Sequence, residues 1–125
     1  DIVIAGDSAG GGLAVATALN ISKHKIEAPG ALVLFSPWVD LRVPDQPPFN
    51  DRFDPLLSWS FIKRGASKYL HGNVPNHGDA AHLSAAENPL TSVIMADLRK
   101  LPPTLIQYGS EEIFKPDIQL FINKL

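Results

Sequence analysis

The chain has 125 residues, of which 45% are hydrophobic and 19% charged, and its formal net charge is -2. This size and apolar content are typical of one domain with a buried core, and the absence of a basic run argues against a nucleic-acid partner. The sequence has no cysteine, which excludes disulfides and thiolate metal sites. No apolar run reaches the roughly 18 residues of a membrane span, so we expect no transmembrane segment in this chain.

The first third of the chain alternates strand and helix patterns. Residues 1–6 and 31–35 are apolar and rich in β-branched residues or leucine, as in buried strands of a parallel sheet. Residues 9–22 between them predict a helix, with Leu13, Ala16 and Leu19 on one face. A strand, a helix and a strand in this order predict a right-handed parallel crossover and an α/β fold.

The middle of the chain begins with a proline-rich loop over residues 38–50. Asp54 and Pro55 then resemble the N-cap and first turn of a helix. Aromatic and apolar residues recur along that helix at positions 59, 61, 62, 66, 69 and 70 (Trp59, Phe61, Ile62, Ala66, Tyr69, Leu70). Such a stripe favours a core face, and lining of a ligand pocket is the alternative.

The last third predicts a single helical turn at residues 97–100, a third strand at 104–108 and a loop at 109–115. A final helix is expected from residue 117 to the end, with Ile118, Phe121, Ile122 and Leu125 on one face. The sequence starts inside a strand pattern and stops inside a helix pattern. We therefore expect it to be a piece of a longer chain.

The residues between the first strand and the first helix carry the strongest chemical signal. They read Gly6-Asp7-Ser8-Ala9-Gly10, which fits G-x-S-x-G at a strand-to-helix junction. Gly6, Gly10 and Gly11 would give the strand and helix room to approach, and the Ala9 N–H at the helix N-terminus would suit an oxyanion. Asp7 would either hold this turn through backbone N–H groups or be an ordinary turn residue.

Two other interpretations of this turn have less support. A phosphate-binding loop does not fit, because no Lys-Ser or Lys-Thr follows the glycines and their spacing is not G-x-G-x-x-G. A plain glycine-rich turn with an exposed serine remains the structural alternative.

Three stretches together resemble one enzyme family. GDSAGGGLAVA, GALVLFSPWVDL and LPPTLIQYGSEEIFKPD occur in the order found in the hormone-sensitive-lipase-like (family IV) esterases, an α/β-hydrolase family, in its GDSAG branch. The resemblance implies a partial α/β-hydrolase fold, in which residues 1–125 are the central and C-terminal part of one domain. This part would contain central parallel strands with flanking helices. It would also contain part of a cap-like insertion, at about residues 44–87.

The same resemblance implies a serine carboxylester hydrolase that forms an acyl-enzyme on Ser8. Its substrate would be a small-molecule ester, and it would need no metal or organic cofactor. Ser8 matches the nucleophile and Ala9 the oxyanion-hole donor. Glu112 in Gly109-Ser110-Glu111-Glu112 matches the acid of a G-x-x-[DE] loop, although the family more often has Asp followed by Pro-Leu. Glu111 and Asp117 are the alternatives for the acid.

Two further features bear on the resemblance. Gly12 stands where the family commonly has Asn, and we expect this difference to matter little. Trp38 and Asp40, after the second strand, match a motif expected to fix that loop.

The histidine base is the part that the sequence does not place. In this fold the histidine follows the acid, but all four histidines precede Glu112 (His24, His71, His77, His82). We expect the base and the family's upstream His-Gly-Gly-Gly loop to lie outside this chain, so that the chain alone has no measurable esterase activity. Use of His71, His77 or His82 as the base is the alternative, and a metal site from these three is disfavoured. A non-catalytic ligand-binding relative and an inactive truncated product are the competing functions.

Overall fold

The computed structural model describes residues 2–45, 54–71 and 84–125, without the side chain of His71. Within these ranges, strands β1 (Val3–Asp7), β2 (Ala31–Phe35) and β3 (Thr104–Gln107) form a parallel sheet in the order β1-β2-β3. The helices are α1 (Ala9–Lys23), α2 (Trp59–His71) and α3 (Lys115–Ile122). The predicted parallel α/β arrangement is confirmed.

The strand register brings the carboxyl ends of the strands together at one edge of the sheet. Asp7 pairs with Phe35, and Phe35 pairs with Gln107. The residues that follow the strands, Ser8, Ser36 and the loop 108–114, therefore lie side by side. We refer to this loop as the acid loop.

Strand β1 departs from the sequence prediction. It was expected to be buried on both faces, yet Val3 is 56% exposed, whereas Leu32 and Leu34 of β2 are fully buried. The reason is position: β1 lies at the edge of the described sheet, and its half-buried Ile4 packs against the cluster that includes α1.

Helix α1 packs on the sheet through a face that the sequence pattern did not indicate. Its buried residues include Gly11, Ala14, Val15 and Ala18, whereas Leu13 of the predicted face is 62% exposed. Small side chains let the helix axis come close to the sheet, so the small residues take the inner position. The cluster of buried residues between α1 and the sheet also holds Phe121 of α3 and Val93 and Ile94. The last two belong to the 3₁₀ turn Val93–Met95, which was not predicted. The turn predicted at residues 97–100 is present as Leu98–Lys100.

A second cluster joins α2 to the acid loop. Ile62, Ile113, Phe114 and Ile118 are buried together, and the Trp38 ring stacks on Phe114 at a centroid distance of 5.4 Å. Of the predicted α2 stripe, Ile62 and Ala66 belong to the interior, but Phe61 and Tyr69 are exposed.

Several boundaries differ from the predictions. Helix α2 begins at Trp59, and Ser58 accepts the first backbone N–H bonds, from Phe61 and Ile62. Asp54 is therefore not its N-cap. Helix α3 starts two residues earlier than predicted and ends at Ile122.

Residues 46–53 and 72–83 of the predicted insertion at about 44–87, including His77 and His82, lie outside the described residues. None of the helices in the described ranges is long and apolar enough to cross a membrane.

Candidate active site

Ser8 forms a strained turn between β1 and α1. Its backbone has φ 52° and ψ -121°, a conformation that residues with a side chain rarely adopt. The Ser8 N–H donates to the Phe35 carbonyl at 2.9 Å, and the Ser8 carbonyl accepts from the Trp38 N–H at 2.8 Å and the Gly11 N–H at 3.0 Å. Strand β2 and the loop after it thus fix both ends of the Ser8 backbone.

The glycines around Ser8 differ in what they do. A Cβ on Gly6 would lie 2.2 Å from the Gly10 carbonyl oxygen, and one on Gly11 would lie 2.7 Å from the Pro37 Cβ. Gly6 therefore permits the close approach of strand and helix that was predicted, and Gly11 also permits a close approach of the loop after β2 that was not predicted. A Cβ on Gly10 would meet nothing within 4 Å, so the prediction that a glycine is needed there for room is wrong, and only the Gly10 backbone is part of the close contact.

Gly12 matters more than the sequence indicated. Its Cβ would lie 2.3 Å from the Trp38 carbonyl oxygen. The expectation that the difference from the family's Asn matters little is therefore wrong for this chain, because the loop after β2 runs directly against α1 there and leaves no space for a Cβ.

The N-terminus of α1 presents free donors beside Ser8. No acceptor for the N–H groups of Ala9 and Gly10 is found in the part of the chain that the structure describes. Such unpaired N–H groups, with the positive end of the helix dipole, favour a developing negative charge.

Glu112 is held by one of its two carboxylate oxygens. Oε2 accepts the Ser36 hydroxyl at 2.7 Å and the Gly109 N–H at 2.8 Å. Oε1 is buried and, among the described residues, is the side-chain atom that has no hydrogen-bond partner despite its burial. Since leaving such an oxygen unpaired is costly, it is suited to accept a further donor.

The two alternative carboxylates are placed differently. Glu111 is exposed. Asp117 lies on α3 near Asp40 and Arg42, where burial and the Asp40 charge raise the pKa of Asp117 to about 6 while Arg42 opposes the change. Glu112 is thus the one of the three whose carboxylate is anchored by hydrogen bonds beside Ser36.

A cavity of about 490 Å³ brings the predicted residues together. Ser8 and Glu112 both line it, and we call it the Ser8 cavity. Its other walls come from the ends of β1 and β2, the turn before α2 and the acid loop (Asp7, Phe35, Ser36, Asp54, Pro55, Leu56, Leu57, Gly109, Ser110, Glu111, Phe114). Asp117 does not line it. The Asp7 side chain is exposed and makes no hydrogen bond to any described residue, which fits the ordinary-turn interpretation.

No histidine is seen beside Ser8 in the described ranges. His24 lies at the far end of α1, with Nδ1 2.9 Å from the Asn20 carbonyl oxygen. The 15 residues of α1 span roughly 22 Å, so His24 is out of reach. The His71 side chain, His77 and His82 lie outside the residues that the structure describes. Within the described residues, no group of three or more His, Asp or Glu side chains could hold a metal ion.

Two residues of this site were missed by the sequence analysis. Ser36, with φ 43°, supplies the hydroxyl that holds Glu112. Asp54, predicted as a helix cap, accepts the N–H groups of Leu56, Leu57 and Ile113 instead, each at 2.8 Å. Burial acts to raise the pKa of Asp54, but these three hydrogen bonds outweigh it and lower the pKa. The only sequence signal for Ser36 was its place at the end of β2.

The loop after β2 is fixed as predicted. The Trp38 indole N–H donates to the Asp40 carbonyl at 2.6 Å, and the Asp40 carboxylate binds the Arg42 guanidinium and backbone N–H, both at 2.9 Å. Trp38 and Tyr69 also line a second, mainly apolar cavity of about 360 Å³ that starts at Ala9 and Gly10. Tyr69 therefore lines a cavity and does not belong to the core.

A strained serine between a strand and a helix, with a carboxylate loop at the same sheet edge, defines the α/β-hydrolase class. A family profile described as "alpha/beta hydrolase fold" matches residues 1–125. The chain belongs to this family, in its hormone-sensitive-lipase-like (family IV) group.

Curated relatives and solved structures agree with this assignment. The chain is 37% identical over 125 residues to a protein named "Esterase" from Acinetobacter venetianus, covering 99% of this chain and 38% of that protein. It is 38% identical over 117 residues to an "Acetyl-hydrolase" of Streptomyces hygroscopicus, covering 93% of this chain and 36% of that protein. A hormone-sensitive lipase from a metagenome library superposes with a TM-score of 0.81 at 34% identity, over 98% of this chain and 39% of that structure. The chain thus spans less than two fifths of the length of these proteins.

Proposed function

We propose that this chain carries the nucleophile and the acid of a serine carboxylester hydrolase. The relatives named esterase and acetyl-hydrolase support the reaction class. The observation that carries the proposal is the Glu112 carboxylate. One of its oxygens is anchored by Ser36 and Gly109, and the other is buried without a partner among the described residues, in a side chain that lines the Ser8 cavity.

In this proposal Ser8 Oγ attacks the carbonyl carbon of an ester. A histidine takes the Ser8 proton and then gives it to the leaving alcohol, which leaves an acyl-enzyme. Water, activated by the same histidine, releases the acid and restores Ser8. The proposal assigns this base to the rest of a longer protein, since the chain spans 38% of the Acinetobacter esterase.

Glu112 orients the base. Its Oε1 accepts the Nδ1–H of the imidazole and stabilises the imidazolium that forms during the reaction. The bonds from Ser36 and Gly109 to Oε2 fix the carboxylate, so that Oε1 keeps its direction.

The Ala9 N–H stabilises the oxyanion that develops on the ester carbonyl. It lies at the N-terminus of α1, directly after Ser8, and has no acceptor among the described residues. The substrate is a small-molecule ester, and the steps assigned to these groups use no metal or organic cofactor.

The test uses the complete protein that carries this segment. We expect hydrolysis of p-nitrophenyl acetate, and loss of that activity in Ser8→Ala. A fluorophosphonate probe should label the peptide that contains Ser8. Ser84→Ala is the matched control, since Ser84 is exposed and does not line the Ser8 cavity, so both readouts should be unchanged. A folded protein with neither turnover nor label on Ser8 would overturn the proposal and favour a ligand-binding relative.

A further inference from the structure

The Asp54 side chain connects two segments that are far apart in sequence. Its Oδ1 accepts the N–H groups of Leu56 and Leu57, which closes the turn before α2. Its Oδ2 accepts the Ile113 N–H at 2.8 Å, across 59 residues. One carboxylate therefore fixes both the turn and the acid loop.

The Ile113 bond acts next to the proposed acid. Ile113 directly follows Glu112, and its side chain is 2% exposed within the cluster with Ile62, Phe114 and Ile118. Ser36 and Gly109 hold the Glu112 side chain, whereas Asp54 holds the backbone immediately after it. The Glu112 carbonyl also accepts the Lys115 N–H at 3.1 Å. The position of Glu112 thus depends on four hydrogen bonds, two to the carboxylate, one to its own carbonyl and one to the N–H of the next residue.

The turn that Asp54 closes is also a wall of the Ser8 cavity. Pro55, Leu56 and Leu57 line that cavity together with Ser8 and Glu112. The Asp54 carboxylate consequently fixes both the cavity wall that a substrate would contact and the backbone next to Glu112.

We infer that Asp54 is a positioning residue that holds Glu112 in register with Ser8 and couples the cavity wall to the acid loop. This inference rests on the proposed function, because it assumes that Glu112 orients the base. It adds a residue outside the proposed triad, whose carboxylate accepts backbone N–H groups of the turn and of the acid loop.

The informative substitution is Asp54→Asn in the complete protein. Asn keeps an oxygen for the turn N–H groups but places an amide NH₂ against the Ile113 N–H, where no acceptor remains. We expect kcat for p-nitrophenyl acetate to fall between about 10- and 100-fold, with KM changed far less, because a small misplacement of a catalytic group costs that much. Asp97→Asn is the matched control. Asp97 also accepts a backbone N–H two residues ahead, from Arg99, but it does not line the Ser8 cavity.

A purely structural role for Asp54 would not move the pH profile. If Asp54 acts through Glu112, a displaced carboxylate stabilises the imidazolium less. The acidic limb of kcat/KM then shifts to lower pH in Asp54→Asn, as it does in Glu112→Gln. In the Glu112→Gln background, Asp54→Asn should cause no further loss of kcat. Rates are normalised to the concentration of folded protein, measured by circular dichroism. If Asp54→Asn does not fold, Asp54→Ser serves instead, since its hydroxyl can cap the turn but is too short to hold Ile113 as well.

The outcomes separate the two claims. If Ser8→Ala abolishes activity and Glu112→Gln lowers kcat strongly, while Asp54→Asn leaves kcat and the acidic limb unchanged or adds its full effect to the residual rate of Glu112→Gln, only the role of Asp54 is overturned. If Glu112→Gln itself leaves activity intact, both the proposed function and the inference about Asp54 are wrong.

Discussion

The Ser36 hydroxyl donates to Oε2 of Glu112 at 2.7 Å, across 76 residues of sequence. Ser36 ends β2 as Ser8 ends β1, and both have positive φ angles, 43° and 52°. The parallel register places these two turns side by side at the carboxyl edge of the sheet, next to the acid loop. In the proposed function Ser8 is the nucleophile, while its neighbour Ser36 holds the Glu112 carboxylate.

Replacing Ser36 should weaken the folded state. In Ser36→Ala the Glu112 carboxylate loses one of its donors, and a hydrogen bond to a charged group contributes about 1.5–3 kcal/mol. We expect a loss of that order in the free energy of unfolding of the complete protein, measured with urea. Ser110→Ala, an exposed serine on the acid loop, should change it by less than about 0.5 kcal/mol. Equal stability of the two variants would show that the Ser36 bond contributes nothing.

Gly12 and Gly10 form a matched pair within one helix turn. A Cβ at Gly12 would lie 2.3 Å from the Trp38 carbonyl oxygen, whereas one at Gly10 would meet nothing within 4 Å. We expect Gly12→Ala to destabilise the protein by about 1–3 kcal/mol, as overpacking does. Gly10→Ala should be neutral or stabilise by up to about 1 kcal/mol through helix propensity. Thermal unfolding of both variants measures the difference, and equal melting temperatures would contradict the close contact at Gly12.

Strain at Ser8 should be visible as a gain of stability on substitution by glycine. A residue held at φ 52° and ψ -121° costs about 1–3 kcal/mol, which Ser8→Gly relieves and Ser8→Ala does not. The entropy of glycine offsets about 0.5–1 kcal/mol of this. We expect Ser8→Gly to unfold at higher denaturant than Ser8→Ala, with both inactive. Lys25→Gly, at φ 56° after α1, should gain stability and keep full activity. A Ser8→Gly variant no more stable than Ser8→Ala would mean that the turn is not strained.

Asp117 makes stability depend on pH. Its pKa is raised to about 6, chiefly by burial and then by Asp40, so the charged form is disfavoured in the folded state. The folded protein binds this proton more tightly than the unfolded chain, so the contribution of Asp117 to stability falls as pH rises from about 4 to 6. Asp117→Asn should therefore stabilise the protein at pH 7 by about 1 kcal/mol after solvent screening, and by nothing below pH ~4. An equal gain at both pH values would show that titration of Asp117 is not the cause.

The parts of the fold that depend on local signals could be predicted from the sequence. Strand β2 has the predicted bounds, and α1 ends one residue later than predicted. The turn at Ser8 was visible because its glycines, its serine and the flanking apolar run lie within a dozen residues.

The contacts that build the site were not predictable in the same way. Asp54 lies 59 residues from Ile113, and Ser36 lies 76 residues from Glu112. The local sequence already explained both residues in another way, Asp54 as a helix cap and Ser36 as the residue that follows β2, so nothing pointed to a distant partner. Only the packed register of β2, β3 and the turn before α2 selects the long-range partner.

The side-chain pattern of α1 also did not predict which face of the helix packs on the sheet. In α1 the large Leu13 points outward, while small residues such as Ala14 and Ala18 face the sheet. A hydrophobic stripe marks which residues avoid water, but the closest approach of helix and sheet favours the smallest residues.

The most direct test of the account is the effect of Glu112→Gln on kcat of the complete protein, measured beside Glu111→Gln and Asp117→Asn. Gln cannot stabilise the imidazolium as a carboxylate does, and loss of the acid in such a triad costs on the order of 10⁴-fold. We predict a fall of this order for Glu112→Gln and changes within about threefold for the other two, since only the Glu112 carboxylate is anchored by Ser36 and Gly109. A near-normal kcat in Glu112→Gln, with the large loss in Glu111→Gln or Asp117→Asn, would contradict the assignment of the acid.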